Sequence, residues 1–97
     1  MNDELEDARP ASQVPLPGGD FRMFTTRLSY QLLISLGLVE NPVTRSSQPN
    51  LEHARMLLDD LRMLQDKTMG NLEPDEQAYL DKLISDLGAH YARIKGA

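Results

Sequence analysis

Cysteine and tryptophan are absent from this chain of 97 residues, and only five aromatic side chains are present, two Phe and three Tyr. Without cysteine there is no disulfide, no thiolate nucleophile and no cysteine-ligated zinc or iron–sulfur centre. This usage fits the cytoplasm, which is the expected location. β-Branched material is also scarce: Val and Ile total six against sixteen Leu. That is poor stock for a sheet and good stock for helix–helix packing. Net positive charge is lacking too. Ten basic residues are dispersed among fifteen acidic ones, for a net charge of −5. A nucleic-acid surface needs a basic patch, so no nucleic-acid partner is expected.

Long apolar runs are missing as well. The longest, residues 28–39, is interrupted by Ser29, Gln31 and Ser35. It falls well short of the ~20 apolar residues that cross a bilayer, so no transmembrane segment is expected. The N-terminus is acidic (Asp3, Glu4, Glu6, Asp7) and lacks the basic start and apolar run of a secretory signal.

What the chain does have is helical periodicity in its second half. Ala54, Leu57, Leu61, Leu64 and Thr68 step three, four, three, four. Leu80, Ile84, Leu87, Tyr91 and Ile94 step four, three, four, three. Each series is a seam along one side of a helix. The segment between them, around Gly70, Asn71 and Pro74, is too short for anything but a reversal. The pattern predicts an all-α chain of three helices, at about residues 20–38, 50–69 and 74–94, the last two forming an antiparallel hairpin. Asp20 and Asn50 are placed to cap the first two. Gly70 suits the left-handed position after a helix end, and Pro74 the first position of the third helix. Glu73 is a weak cap residue.

Residues 1–19 hold Pro10, Pro15, Pro17, Gly18 and Gly19, with four acids against one Arg. This composition predicts a disordered tail ahead of a single helical domain at residues 20–97. Val14 and Leu16 are its only candidates for a docking peptide.

The first helix is apolar on two sides. Phe21, Phe24, Leu28, Leu32, Leu36 and Val39 form one face, expected to meet the hairpin. Met23, Tyr30, Leu33 and Ile34 occupy much of the other. A helix apolar on two sides must be covered on two sides. The second side is therefore the expected surface for self-association or for a protein partner, and a homodimer is the expected assembly. Met56 and Met63, seven apart on the second helix, are expected to pack within the protomer or its dimer, a separate partner site being the alternative.

No catalytic constellation stands out. The helical serines Ser29, Ser35 and Ser85 have no histidine one turn away, and no Gly-rich phosphate loop or nucleophile elbow is present. Asp59 and Asp60 are neighbours that point about 100° apart on a helix. No cofactor is expected. The alternative function is a small metal-binding or enzymatic helical protein. If the hairpin reverses near Asn71, His53 and His90 fall near the same end, with Asp86 one turn before His90. These three supply donors of the nitrogen and oxygen type. The Asp86–His90 spacing is equally that of an ordinary helix-surface pair.

Asn50-Leu51-Glu52 with Ala54-Arg55, then Leu58-Asp59, Leu61, Met63-Leu64, Lys67-Thr68 and Gly70-Asn71-Leu72 form a distinctive block. Phe24, Leu28, Leu33 and Leu36-Gly37 followed by Pro42 precede it. Together they resemble a small bacterial helical family known as a domain of unknown function, number eighteen forty-four. The resemblance covers about residues 21–92. Glu73 departs from the Thr or Ser expected at that cap. The resemblance implies a compact helical protein and brings no activity, cofactor or catalytic residue. The expected function is accordingly a non-enzymatic helical interaction module that self-associates through its first helix.

Overall fold

A computed structural model describes residues 18–96. The expected tail at residues 1–19 lies outside the described residues except for Gly18 and Gly19. Three helices follow: α1 (Phe21–Ser35), α2 (Leu51–Lys67) and α3 (Pro74–Lys95), with no strand among the described residues.

Each boundary has a local cause. The Asp20 carboxylate accepts from the Met23 N–H at 2.9 Å, which satisfies one of the open amides at the start of α1. The expected end near Leu38 comes three residues earlier. Gly37 takes a left-handed conformation (φ 77°), and the N–H groups of Gly37 and Leu38 turn back to the carbonyls of Ile34 and Leu33 at 3.0 Å. This is the Schellman arrangement, which closes a helix C-terminus where glycine carries no Cβ penalty. The chain then runs back over the helix end. A Cβ on Gly37 would lie 2.5 Å from the Ser47 carbonyl oxygen and 3.1 Å from Pro49. Asn50 caps α2 through its side chain, 3.1 Å from the His53 N–H. At α3, the Glu76 carboxylate reaches back to the Glu73 N–H at 2.9 Å and supports the start that Glu73 leads.

The core is built from all three helices: Leu32 and Leu36 of α1; Ala54, Leu57, Leu58 and Leu61 of α2; Leu80, Ile84 and Leu87 of α3. The two expected seams are in place, with Tyr91 and Ile94 half-buried against the core and Leu64 and Thr68 half-buried at the end of α2. The hairpin is antiparallel, with Gln65 of α2 donating to Asp81 of α3 at 2.7 Å. That pair centres the reversal midway between its members, at position 73.

The inward face of α1 holds Phe21, Leu28, Leu32 and Leu36 as expected, but not Phe24. Phe24 is 41% exposed, and Thr25 (0%) and Ser29 (7%) lie against the hairpin instead. Small residues there let α1 settle closely across both other helices. Their hydroxyls meet no unpaired neighbour, because Thr25 donates to the Phe21 and Arg22 carbonyls at 3.1 Å and Ser29 to Thr26 at 2.7 Å. An apolar-only count of the helix face passes over such residues. Met56 and Met63 are about half exposed, so they are not buried within the protomer.

Candidate interaction surface and polar cleft

Across α1 from its buried face runs a stripe one side chain wide: Met23, Arg27, Tyr30 and Ile34, spaced four, three, four. These positions fall within about 60° of one another around the helix. Tyr30 is 49% exposed. Met23 and Ile34 are half-buried, yet neither packs on the core cluster. Met23, Thr26, Arg27, Tyr30 and Gln31 line a shallow depression of about 380 Å³ along this side. Arg27 also borders a second depression with Asp20, Phe21 and Phe24, where the two Phe rings lie 6.4 Å apart at a tilt of 53°. Leu33, expected on this surface, turns toward the hairpin and packs against the core. Arg27, which belongs in the middle of the stripe, was not expected there, and its charge is what removes it from an apolar pattern.

The flank of α1 beside the stripe is fastened to α3. The Arg22 guanidinium lies 5.1 Å from the centre of the Tyr79 ring and 3.9 Å from the Asp75 carboxylate. The Tyr79 hydroxyl is hydrogen-bonded to Thr26. Arg22 and Tyr79 are therefore occupied within the protomer, whereas Tyr30, one turn on from Thr26, is not covered.

A polar cleft opens where α1 ends. It is lined by Ile34 and Ser35 of α1, by Asn41, Thr44, Ser46 and Gln48 of the following loop, and by Asn50 and His53 at the start of α2; its volume is about 160 Å³. An adjoining depression shares Ile34, Ser35, Asn41 and His53, so the two form one groove. Backbone bonds hold its walls. Asn50 N–H donates to the Ser35 carbonyl at 2.7 Å, Asn41 N–H to Ser46 at 2.8 Å, and Arg45 N–H to Asn41 at 2.7 Å.

The three candidate metal ligands go to different places. His53 sits in this cleft. The Asp86 carboxylate is bound to Lys82 at 3.0 Å. His90 Nδ1 lies 2.7 Å from the Arg93 guanidinium. Among the described residues no group of three His, Asp or Glu side chains is placed to hold a metal ion. The cause is facing: His53 turns to the end of α1 and the polar loop, whereas Asp86 and His90 are taken up by Lys82 and Arg93 of their own helix. Within the same residues, no helix is long and apolar enough to cross a membrane.

A family model described as "Domain of unknown function (DUF1844)" matches residues 19–93. No curated protein and no solved structure matches the chain. The matched span covers α1, the polar loop and nearly all of the hairpin. The chain belongs to this family.

Proposed function

We propose that this member of the DUF1844 family is a non-enzymatic helical interaction module that self-associates through the outward side of α1. The observation that carries it is the stripe Met23, Arg27, Tyr30, Ile34, in which Tyr30 is exposed and Met23 and Ile34 are half-buried without packing on the core. Its spacing is the same read in either direction. A two-fold axis across the middle of α1 brings Met23 against the partner's Ile34 and Arg27 against the partner's Tyr30. Both contacts then occur twice, as an isologous interface requires. The first joins two apolar side chains. The second sets a guanidinium over a phenol ring, a pairing worth roughly 0.5–2 kcal/mol depending on desolvation. A second α1 thereby covers the apolar groups and keeps the one charge in the stripe on a favourable ring face.

The absence of native cysteine makes the geometry testable. Single variants Met23→Cys and Ile34→Cys, mixed and mildly oxidised, are expected to give mainly the mixed disulfide. Each alone is expected to crosslink slowly. A Met63→Cys control on α2 sets the rate of random collision. If the mixture crosslinks no faster than that control, the antiparallel arrangement is wrong.

A further inference from the structure

We infer that the polar cleft between the end of α1 and the start of α2 is a binding site for a small oxyanion, a phosphate or carboxylate group. Its chemistry is one-sided. The Asn41 side-chain oxygen accepts from Val43 N–H at 2.8 Å and Thr44 N–H at 3.2 Å. Thr44 Oγ1 accepts from Ser46 N–H at 3.3 Å, and Ser46 Oγ from Gln48 N–H at 3.2 Å. Asn50 Oδ1 accepts from His53 N–H. Each of these side chains turns an acceptor lone pair to the backbone, and Asn41 turns both. Their hydroxyl and amide hydrogens are donated to no protein group among the described residues, so donors are available along the wall.

The floor points the same way. Ser35 is only 7% exposed and lines the groove, and its hydroxyl makes no hydrogen bond among the described residues. The other two buried hydroxyls of α1, Thr25 and Ser29, each turn back to a carbonyl of their own helix. A buried hydroxyl left without a partner is costly. A ligand oxygen in the cleft removes that cost. The opposite wall is the first turn of α2, a helix of 17 residues. From it Asn50 and His53 reach the cleft, close to the positive end of the helix dipole, which favours an anion and is partly offset by Glu52 in the same turn. The imidazole of His53 adds a further donor in its protonated or Nδ1–H or Nε2–H form. Hydroxyls, primary amides and an imidazole together form a donor set suited to an acceptor-only ligand. No carboxylate lines the cleft.

Titration of the full ¹⁵N-labelled chain with sodium phosphate and, separately, with sodium acetate tests this. Sodium chloride at matched ionic strength is the reference. Saturable shifts are expected at the amides of Ser35, Asn41, Leu51, Glu52 and His53, with either salt. The salt that saturates at lower concentration identifies the preferred headgroup. Ser35→Ala is expected to weaken binding roughly three- to tenfold, the worth of one hydrogen bond, with the rest of the spectrum unchanged. His53→Ala is expected to weaken it independently. Shifts that fail to saturate with both salts, or that chloride reproduces, overturn the assignment. So does an unaltered response in Ser35→Ala when that variant retains the native spectrum.

Discussion

The Arg22 guanidinium lies over the Tyr79 ring, 5.1 Å from its centre, and ties the start of α1 to the N-terminal part of α3. The Tyr79 hydroxyl completes the tie by its bond to Thr26. Tyr30, on α1 itself, offers the same phenol ring half exposed and with no cation over it among the described residues. The contrast separates the part of α1 that holds the protomer from the part left for association.

Tyr79→Ala removes a cation–π contact and a hydrogen bond at once. The expected loss is about 1–2 kcal/mol of folding stability, read by urea denaturation. Tyr30→Ala, lacking both contacts within the protomer, is expected to change the stability of the dilute chain by less than about 0.5 kcal/mol.

Gly37 and Gly70 both hold a left-handed backbone, at φ 77° and 84°. Space separates them. A Cβ at Gly70 meets nothing within 4 Å, whereas one at Gly37 meets the Ser47 carbonyl at 2.5 Å. Gly70→Ala is therefore expected to cost about 1–2 kcal/mol from backbone strain alone. Gly37→Ala is expected to cost more, because the loop over the helix end must shift as well. Thermal melts of the two variants check the order. Equal losses would contradict the close approach.

Leu61 is fully buried between the helices, while Met63, two residues on, is half exposed. Leu61→Ala is expected to destabilise by about 2–5 kcal/mol. Met63→Ala is expected to stay within about 0.5 kcal/mol of the parent chain. Chemical denaturation of both variants separates the core from the outer face of α2.

The hairpin was legible because its seams are carried by leucine at unbroken helical spacing, from Ala54 to Leu61 and from Leu80 to Leu87. The caps were legible because Asp20 and Asn50 are among the best residues for that position. The inward face of α1 was legible in Phe21, Leu28, Leu32 and Leu36 and not in Thr25 and Ser29. Those two are polar by composition, and their hydroxyls are satisfied by their own helix, which no apolar count registers. The His53, Asp86 and His90 grouping failed because the side His53 presents is set by how α1 and its loop settle on the hairpin, which helix spacing alone does not carry. The polar cleft left a faint mark in the sequence, a concentration of Asn, Thr, Ser and Gln between 41 and 50. Its convergence depends on Gly37 turning the chain back, which becomes visible only in three dimensions.

Thr25→Val tests the account of the small inward residues. The hydroxyl is satisfied within its own helix, so an isosteric apolar replacement is expected to be near neutral. Thr25→Leu overfills the contact with the hairpin and is expected to cost about 1–3 kcal/mol. Calorimetric melts of the pair distinguish packing from hydrogen bonding at this position.

If a second copy of the chain covers the Met23, Arg27, Tyr30, Ile34 stripe, sedimentation equilibrium reads it from roughly 1 to 100 μM, a range spanning ordinary dimer affinities. A mass approaching twice the 10.9 kDa of one chain is expected. Ile34→Glu is expected to return the protein to a single chain with its helical circular dichroism intact. A mass of one chain throughout that range, or a dimer indifferent to Ile34→Glu and Tyr30→Glu alike, would contradict that arrangement.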